Sequence, residues 1–175
     1  MRPELEALAR SIVEAAYLRG DFLLRSGRRS DVYFDKYLFE TRPTILRALG
    51  TELATMVPAG VDRLAAPELG AVLLGGAVML ETELPLVIVR KEEKEYGTSK
   101  SIEGQLDAGE RVCLIEDVLT TGGEAIKAAE KLRAAGAQVV RLIAVLDREE
   151  GAAEAIAAAG LDYEPLFRKS DLPLA

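Results

Sequence analysis

The run VCLIEDVLTTGGEA, Val112 to Ala125, decides the fold. Four apolar residues, Val112 to Ile115, read as a buried strand, Glu116 and Asp117 stand at its C-terminal end, and a Thr/Gly turn leads directly into a helix. A strand feeding a helix in this way is one unit of an alternating β/α chain, whose ligands bind beyond the carboxyl ends of the strands. There the helix offers unpaired N–H groups and the positive end of its dipole. Thr120, Thr121, Gly122 and Gly123 can therefore wrap a phosphate with backbone N–H groups and hydroxyls. Glu116 and Asp117 would repel that phosphate unless they faced something else, and ribose hydroxyls donate well to carboxylates. A sugar phosphate satisfies both halves. The plainer alternative is that one acid caps the helix and TTGG is an ordinary tight turn. Neither a GxxxxGK[ST] loop nor a GxGxxG fingerprint is present.

Outward from this run the same grammar continues. Upstream, Arg63 to Ala66 and Pro85 to Val89 read as strands with a helix over Val72 to Leu80 between them. Downstream come a helix over Glu124 to Ala135, a strand over Val139 to Leu146 and a helix over Ala152 to Ala159. These alternations predict an α/β fold, a central mostly parallel sheet flanked by helices on both faces. The N-terminal part has a different rhythm. Leu5, Leu8, Ile12, Val13 and Ala16 predict an amphipathic helix with Gly20 as its stop, Phe22 to Ser30 a strand and turn, and SGRRSDVYFDKY a short hairpin or hood. Thr41 and Pro43 open a second helix that runs through Met56. Between Arg90 and Gln105 lies a polar stretch, RKEEKEYGTSKSIEGQ, without period; a loop of this length is usually functional or mobile.

A chain of 175 residues with 49% apolar side chains supports one core and a single domain over 1–175. The net charge of −7 argues against nucleic acid as a partner, although Arg90, Lys91 and Lys94 form a local basic cluster fit for a small anion. Cys113 has no partner cysteine and there is no histidine, so neither a disulfide nor a structural zinc site is expected, and the cytoplasm is the simplest compartment. Cys113, in an apolar strand, is expected to be a buried small side chain. The acidic, amphipathic N-terminus is not a signal peptide, and no stretch approaches the ~20 apolar residues of a membrane span, so a soluble protein is expected.

The Val112 to Gly123 motif resembles the 5-phosphoribosyl 1-diphosphate signature of type I phosphoribosyltransferases. GDFLLRSGRRSDVYFDKYLFETRP, IVRKEEKEYGTSKSIEG and LDREEG, in this order, are similar to the orotate members of that family, and with the intervening elements they cover nearly the whole chain. The resemblance implies a type I phosphoribosyltransferase fold with an N-terminal hood over about 20–40 and a mobile catalytic loop over about 90–104. It implies transfer of phosphoribosyl from the diphosphate to orotate in pyrimidine synthesis, with Mg2+ carried mainly by the diphosphate, and a homodimer whose loop reaches the neighbouring subunit. The alternatives are a phosphoribosyltransferase for another base, or a regulator that binds nucleotide on the same fold without catalysis.

Site residues follow from the same resemblance. Lys94 and Asp117 are the expected catalytic groups. Arg90, Lys91, Lys94, Glu116, Asp117, Thr120, Thr121, Gly122, Gly123 and Glu124 are expected on phosphoribosyl diphosphate. Arg25, Phe34, Thr120 and Arg148 are expected on orotate, whose ring carboxylate suits the planar, bidentate cation of Arg148. Negative charge grows on the leaving diphosphate, which the basic cluster would meet. Tyr33 and Phe34 point to opposite faces of a strand, so at most one stacks on the pyrimidine and the other is core. The chain departs from the family pattern at Tyr96, where many members carry histidine, and at Leu69, where many carry lysine.

Overall fold

The computed structural model describes residues 1–23, 27, 29–91 and 101–174. Arg25, Lys94 and Tyr96 lie outside the described residues. Helix α1, Pro3–Ala16, begins with proline and acids in its first turn, where a free N–H is not missed and the dipole favours negative charge. It passes straight into β1, Tyr17–Leu23, which pairs antiparallel with β2, Arg29–Phe34. Gly20 is therefore not a helix stop. It lies inside β1, where the register shifts between Arg19 and Phe22, a place where strands tolerate glycine. The expected hairpin is present but starts earlier than its sequence suggested. A single-turn helix, α2, Tyr37–Glu40, then links it to α3, Pro43–Ala54.

The main sheet contains β3, Arg63–Pro67, β4, Leu86–Val89, β5, Ile102–Glu103, β6, Arg111–Leu119, β7, Gln138–Asp147, and β8, Tyr163–Arg168. Their spatial order is β5-β4-β3-β6-β7-β8, parallel throughout except for the short antiparallel β5. Helices α4, Ala71–Thr82, α5, Gly123–Ala134, and α6, Ala152–Ala158, make the crossovers. The decisive strand runs farther than its apolar residues: Glu116 and Asp117 lie within β6, because pairing with β7 continues to Leu119 opposite Asp147. β5 and β8 have no counterpart in the sequence reading.

Alternation along β6 and β7 supplies two cores. Cys113, Ile115, Ile143 and Val145 face α1, α3 and α4, where Ile12, Leu49, Leu53 and Leu74 are fully enclosed. Val112, Leu114, Leu142 and Ala144 face α5 and α6, against Ala129, Leu132 and Ile156. Each such leucine or isoleucine contributes roughly 1.5–3 kcal/mol by leaving water. Cys113 is buried as expected, and burial pushes its thiol up to about 12. The same parity decides the site. Asp117 continues the face of Cys113 and Ile115, toward the N-terminal elements, whereas Glu116 continues the face of Val112 and Leu114. No described helix is long and apolar enough to cross a membrane.

Candidate active site

A cavity of about 710 Å³ opens at the carboxyl ends of β3, β4 and β6. One wall is the turn of Thr120, Thr121 and Gly122 with the first residues of α5. Gly122 has φ +77, and a Cβ there would press on Ile156, so the turn that aims the α5 N–H groups into the cavity requires glycine. The opposite wall is the turn Glu68, Leu69 and Gly70 after β3 together with Arg90 and Lys91 after β4. Glu116 and Asp117 lie between the walls.

These two acids are buried, at 8% and 2% exposure. Burial first, and the Asp117 charge second, hold the Glu116 carboxyl well above the usual carboxylate range. The Asp117 amide donates to Glu116 Oε2 at 3.2 Å, and the Val118 amide donates to Asp117 Oδ1. The other oxygen, Oδ2, accepts from Lys36 Nζ at 2.5 Å. Burial pulls the Lys36 ammonium down, but the charge and hydrogen bond of Asp117, with a smaller part from Glu40, outweigh it and leave the pKa raised. Gly70 backs onto this pair: a Cβ there would lie 1.7 Å from Asp117 Oδ2 and 2.6 Å from Lys36 Nζ. Beneath it, Glu40 is fully enclosed with neither carboxyl oxygen hydrogen-bonded. Burial, then the Asp117 charge, push Glu40 up to about 8, with Lys36 acting against them.

Across the cavity, Arg90 Nη1 is 3.7 Å from both Glu68 Oε2 and Glu103 Oε1, and the Lys91 amide donates to Glu68 Oε1 at 2.8 Å. Lys131, on α5, donates to the carbonyls of Arg90 and Lys91 at 2.6 and 2.8 Å, fixing the direction in which the chain leaves β4.

Of the residues named from sequence, Arg90, Lys91, Glu116, Asp117, Thr120, Thr121, Gly122, Gly123 and Glu124 all border this cavity. Phe34 does not. Its ring packs on Phe39, 6.0 Å between centroids, against the core, and Tyr33 is the exposed partner of the alternation, lying against Phe22. The inward phase of β2 is set by Phe39 and the α1 core, which the hairpin sequence does not contain. Arg148 is also outside the lining; its guanidinium pairs with Glu150 at 2.9 Å, half-exposed, while its amide bonds to the Leu119 carbonyl at 2.9 Å, beside Thr120. Lys36, Glu40 and Lys131 went unread in the sequence. Lys36 and Asp117 are 81 residues apart, and no spacing rule connects them.

Residues 47–159 match the phosphoribosyl transferase domain family. The orotate phosphoribosyltransferase of Natronomonas pharaonis is 51% identical over 153 residues, 87% of either chain. The solved structure of Mycobacterium tuberculosis H37Rv orotate phosphoribosyltransferase in complex with 5-phospho-alpha-D-ribosyl 1-diphosphate superposes with a TM-score of 0.80 at 30% identity, covering 98% of this chain and 100% of that one. Orotate phosphoribosyltransferase from Aeropyrum pernix superposes with a TM-score of 0.79 at 31% identity, over 93% and 94% of the two chains.

Proposed function

We propose a mechanism on the premise that this chain belongs to the phosphoribosyltransferase family and is, within it, an orotate phosphoribosyltransferase. It joins orotate to the phosphoribosyl group of 5-phosphoribosyl 1-diphosphate, giving orotidine 5′-monophosphate and diphosphate. The observation that carries the site assignment is the cavity itself, with a helix N-terminus on one wall, cations on the other and two buried acids between them.

The 5′-phosphate sits on the N–H groups and hydroxyls of Thr120 to Gly123, where the α5 dipole favours it. The ribose hydroxyls bond to Asp117 and Glu116. The diphosphate on C1 then lies along the turn of residues 68–70 and the side chains of Arg90 and Lys91. In the reaction the bond between C1 and the diphosphate oxygen breaks with its electron pair going to the diphosphate. N1 of orotate supplies the pair for the new bond, and its proton passes to the departing diphosphate. Positioning along this line and charge stabilisation on the leaving group supply the acceleration.

Among the described residues no group of three or more His, Cys, Asp or Glu side chains is arranged to hold a metal ion. Mg2+ enters this reading, on the resemblance, bound to the diphosphate, where it would neutralise charge on the leaving group. Arg148 reaches the orotate carboxylate by giving up Glu150, an exposed pair of small energy. Arg25 and Lys94 enter the reading on resemblance alone, the first on orotate and the second on the diphosphate. A homodimer is favoured by the apolar side chains left outside on and before α4: Leu69 is 69% exposed, Leu73 45% and Leu80 79%. The cytoplasm, where a lone thiol is at home, is the compartment of this reading.

Purified protein with Mg2+, phosphoribosyl diphosphate and each of orotate, uracil, adenine, hypoxanthine and guanine tests the assignment by base loss and diphosphate release. Orotate alone is expected to be consumed; turnover of another base instead would refute it. Arg148→Ala is expected to raise the KM for orotate while leaving that for phosphoribosyl diphosphate unchanged.

A further inference from the structure

We propose that Lys36 is a catalytic residue: the ribose hydroxyls take Asp117 from it, and the released ammonium meets the charge that grows on the departing diphosphate. The proposal rests on the orotate phosphoribosyltransferase reading of the cavity and adds to it a group from outside the phosphoribosyl loop.

Placement is the first argument. Lys36 Nζ is 2.5 Å from Asp117 Oδ2, on the ribose side, and only 2.6 Å from where a Gly70 Cβ would stand, on the diphosphate side. It therefore occupies the junction between the part of the substrate that stays and the part that leaves. Its backbone is fixed, since its carbonyl accepts the amides of Phe39 and Glu40 at 3.1 and 3.0 Å. The four-carbon stem above that anchor turns freely enough to move the ammonium from one side to the other.

Lysine and ribose compete for one oxygen. Asp117 Oδ1 already accepts the Val118 amide and Oδ2, beside the Gly70 turn, accepts Lys36, so a ribose hydroxyl that bonds Oδ2 shares it with the lysine or takes it from it. Displacing Lys36 leaves a cation whose side chain is 33% exposed, next to the Gly70 turn along which the diphosphate runs. A bare ammonium there requires an anion, and the diphosphate is the anion that the substrate brings.

The third argument is supply. The turn along which the diphosphate runs contributes Glu68, Leu69 and Gly70, none of them cationic. Among the described cations of the cavity, Arg90 and Lys91 stand on the far wall, Arg90 beside Glu68 and Glu103, while Lys127 pairs with Glu124 and Lys131 holds two backbone carbonyls. The partner of Lys36 is the carboxylate that substrate binding itself claims.

Isothermal titration of the whole protein with inorganic diphosphate and Mg2+, with and without ribose 5-phosphate, tests this without any substitution. Ribose 5-phosphate is expected to tighten diphosphate binding about 5-fold or more, a coupling in the usual range for linked sites; independent binding would overturn the proposal. Lys36→Met, with its fold checked by circular dichroism, is expected to abolish that coupling and to lower kcat on the order of 100-fold, as loss of one charge-stabilising donor does. Its KM for orotate should stay near that of the unsubstituted enzyme, and Lys36→Arg should recover most of the coupling. Unchanged coupling and kcat in Lys36→Met would overturn the proposal alone. Failure of the unsubstituted protein to consume orotate would overturn the reading beneath it.

Discussion

Two buried aspartates stand near the ends of neighbouring parallel strands, Asp117 on β6 and Asp147 on β7, exposed by 2% and 3%. Their surroundings differ in kind. Asp147 is held by neutral donors that belong to the fold: the Glu149 amide at 2.8 Å and the Tyr163 hydroxyl at 2.7 Å, the latter carried by β8. One oxygen of Asp117 instead rests on a lysine ammonium at the edge of a cavity, and a hydroxyl entering that cavity can replace it. Equal burial thus coexists with different partners. One carboxylate pins the turn after β7, and the other, in the proposed site, is paired with a group that substrate displaces.

The sharpest way to break this comparison is at Asp117. Asp117→Asn is expected to lower kcat/KM for phosphoribosyl diphosphate on the order of 100-fold, about 2.7 kcal/mol of transition-state stabilisation. Asp147→Asn should change stability and leave that ratio intact; equal kinetic losses in both would erase the distinction. Gly70→Ala comes next. Its methyl would stand 1.7 Å from Asp117 Oδ2, so the acid and the turn must part, and displacements of that size cost up to about 100-fold in rate. Normal turnover of this variant would show that the two walls do not need their close approach. A smaller and purely structural effect is expected for Tyr163→Phe, which strips Asp147 of a buried donor. Denaturant unfolding should register a loss of about 1–3 kcal/mol, with KM values unchanged.

The mildest effect concerns Glu40, which lies beneath the Asp117 pair. Its carboxyl is raised from 4.5 to about 8 in the folded chain, so the native state keeps a proton that the unfolded chain releases within this window. That contribution to stability is complete below about 4.5 and is lost as pH rises toward 8. Glu116, raised for the same reason, slopes the same way. Glu40→Gln should flatten part of the decline in melting temperature across this range, and an unaltered pH profile would refute the assignment.

Which of these features were legible in the sequence follows from how local their causes are. The β6 strand, the TTGG turn and α5 form one contiguous run, and their alternation and helix start could be read directly. The cavity residues of that run came with them, because the carboxyl end of a parallel strand faces the ligand side whatever the remainder of the chain does. What escaped depends on distant packing. Phe34 turns inward because Phe39 and α1 wait there, and a hairpin sequence fits either phase. Lys36 meets Asp117 only after the hairpin folds over β6. Gly20 looks like a helix stop until β1 is paired with β2. β8 was hidden by Pro165, which breaks the strand pattern at a position opposite Ala144.

That proline also bears on how copies of this chain can meet. β8 is an outer strand of the main sheet and includes a residue with no amide to donate; β5, at the other margin, is two residues long. Both margins are poor templates for adding a further strand, a protection that natural sheets use against aggregation. Open-ended sheet extension is thereby disfavoured, and the proposed homodimer would be built on helical surface, where Leu73 and Leu80 stand exposed and a closed, finite assembly can form.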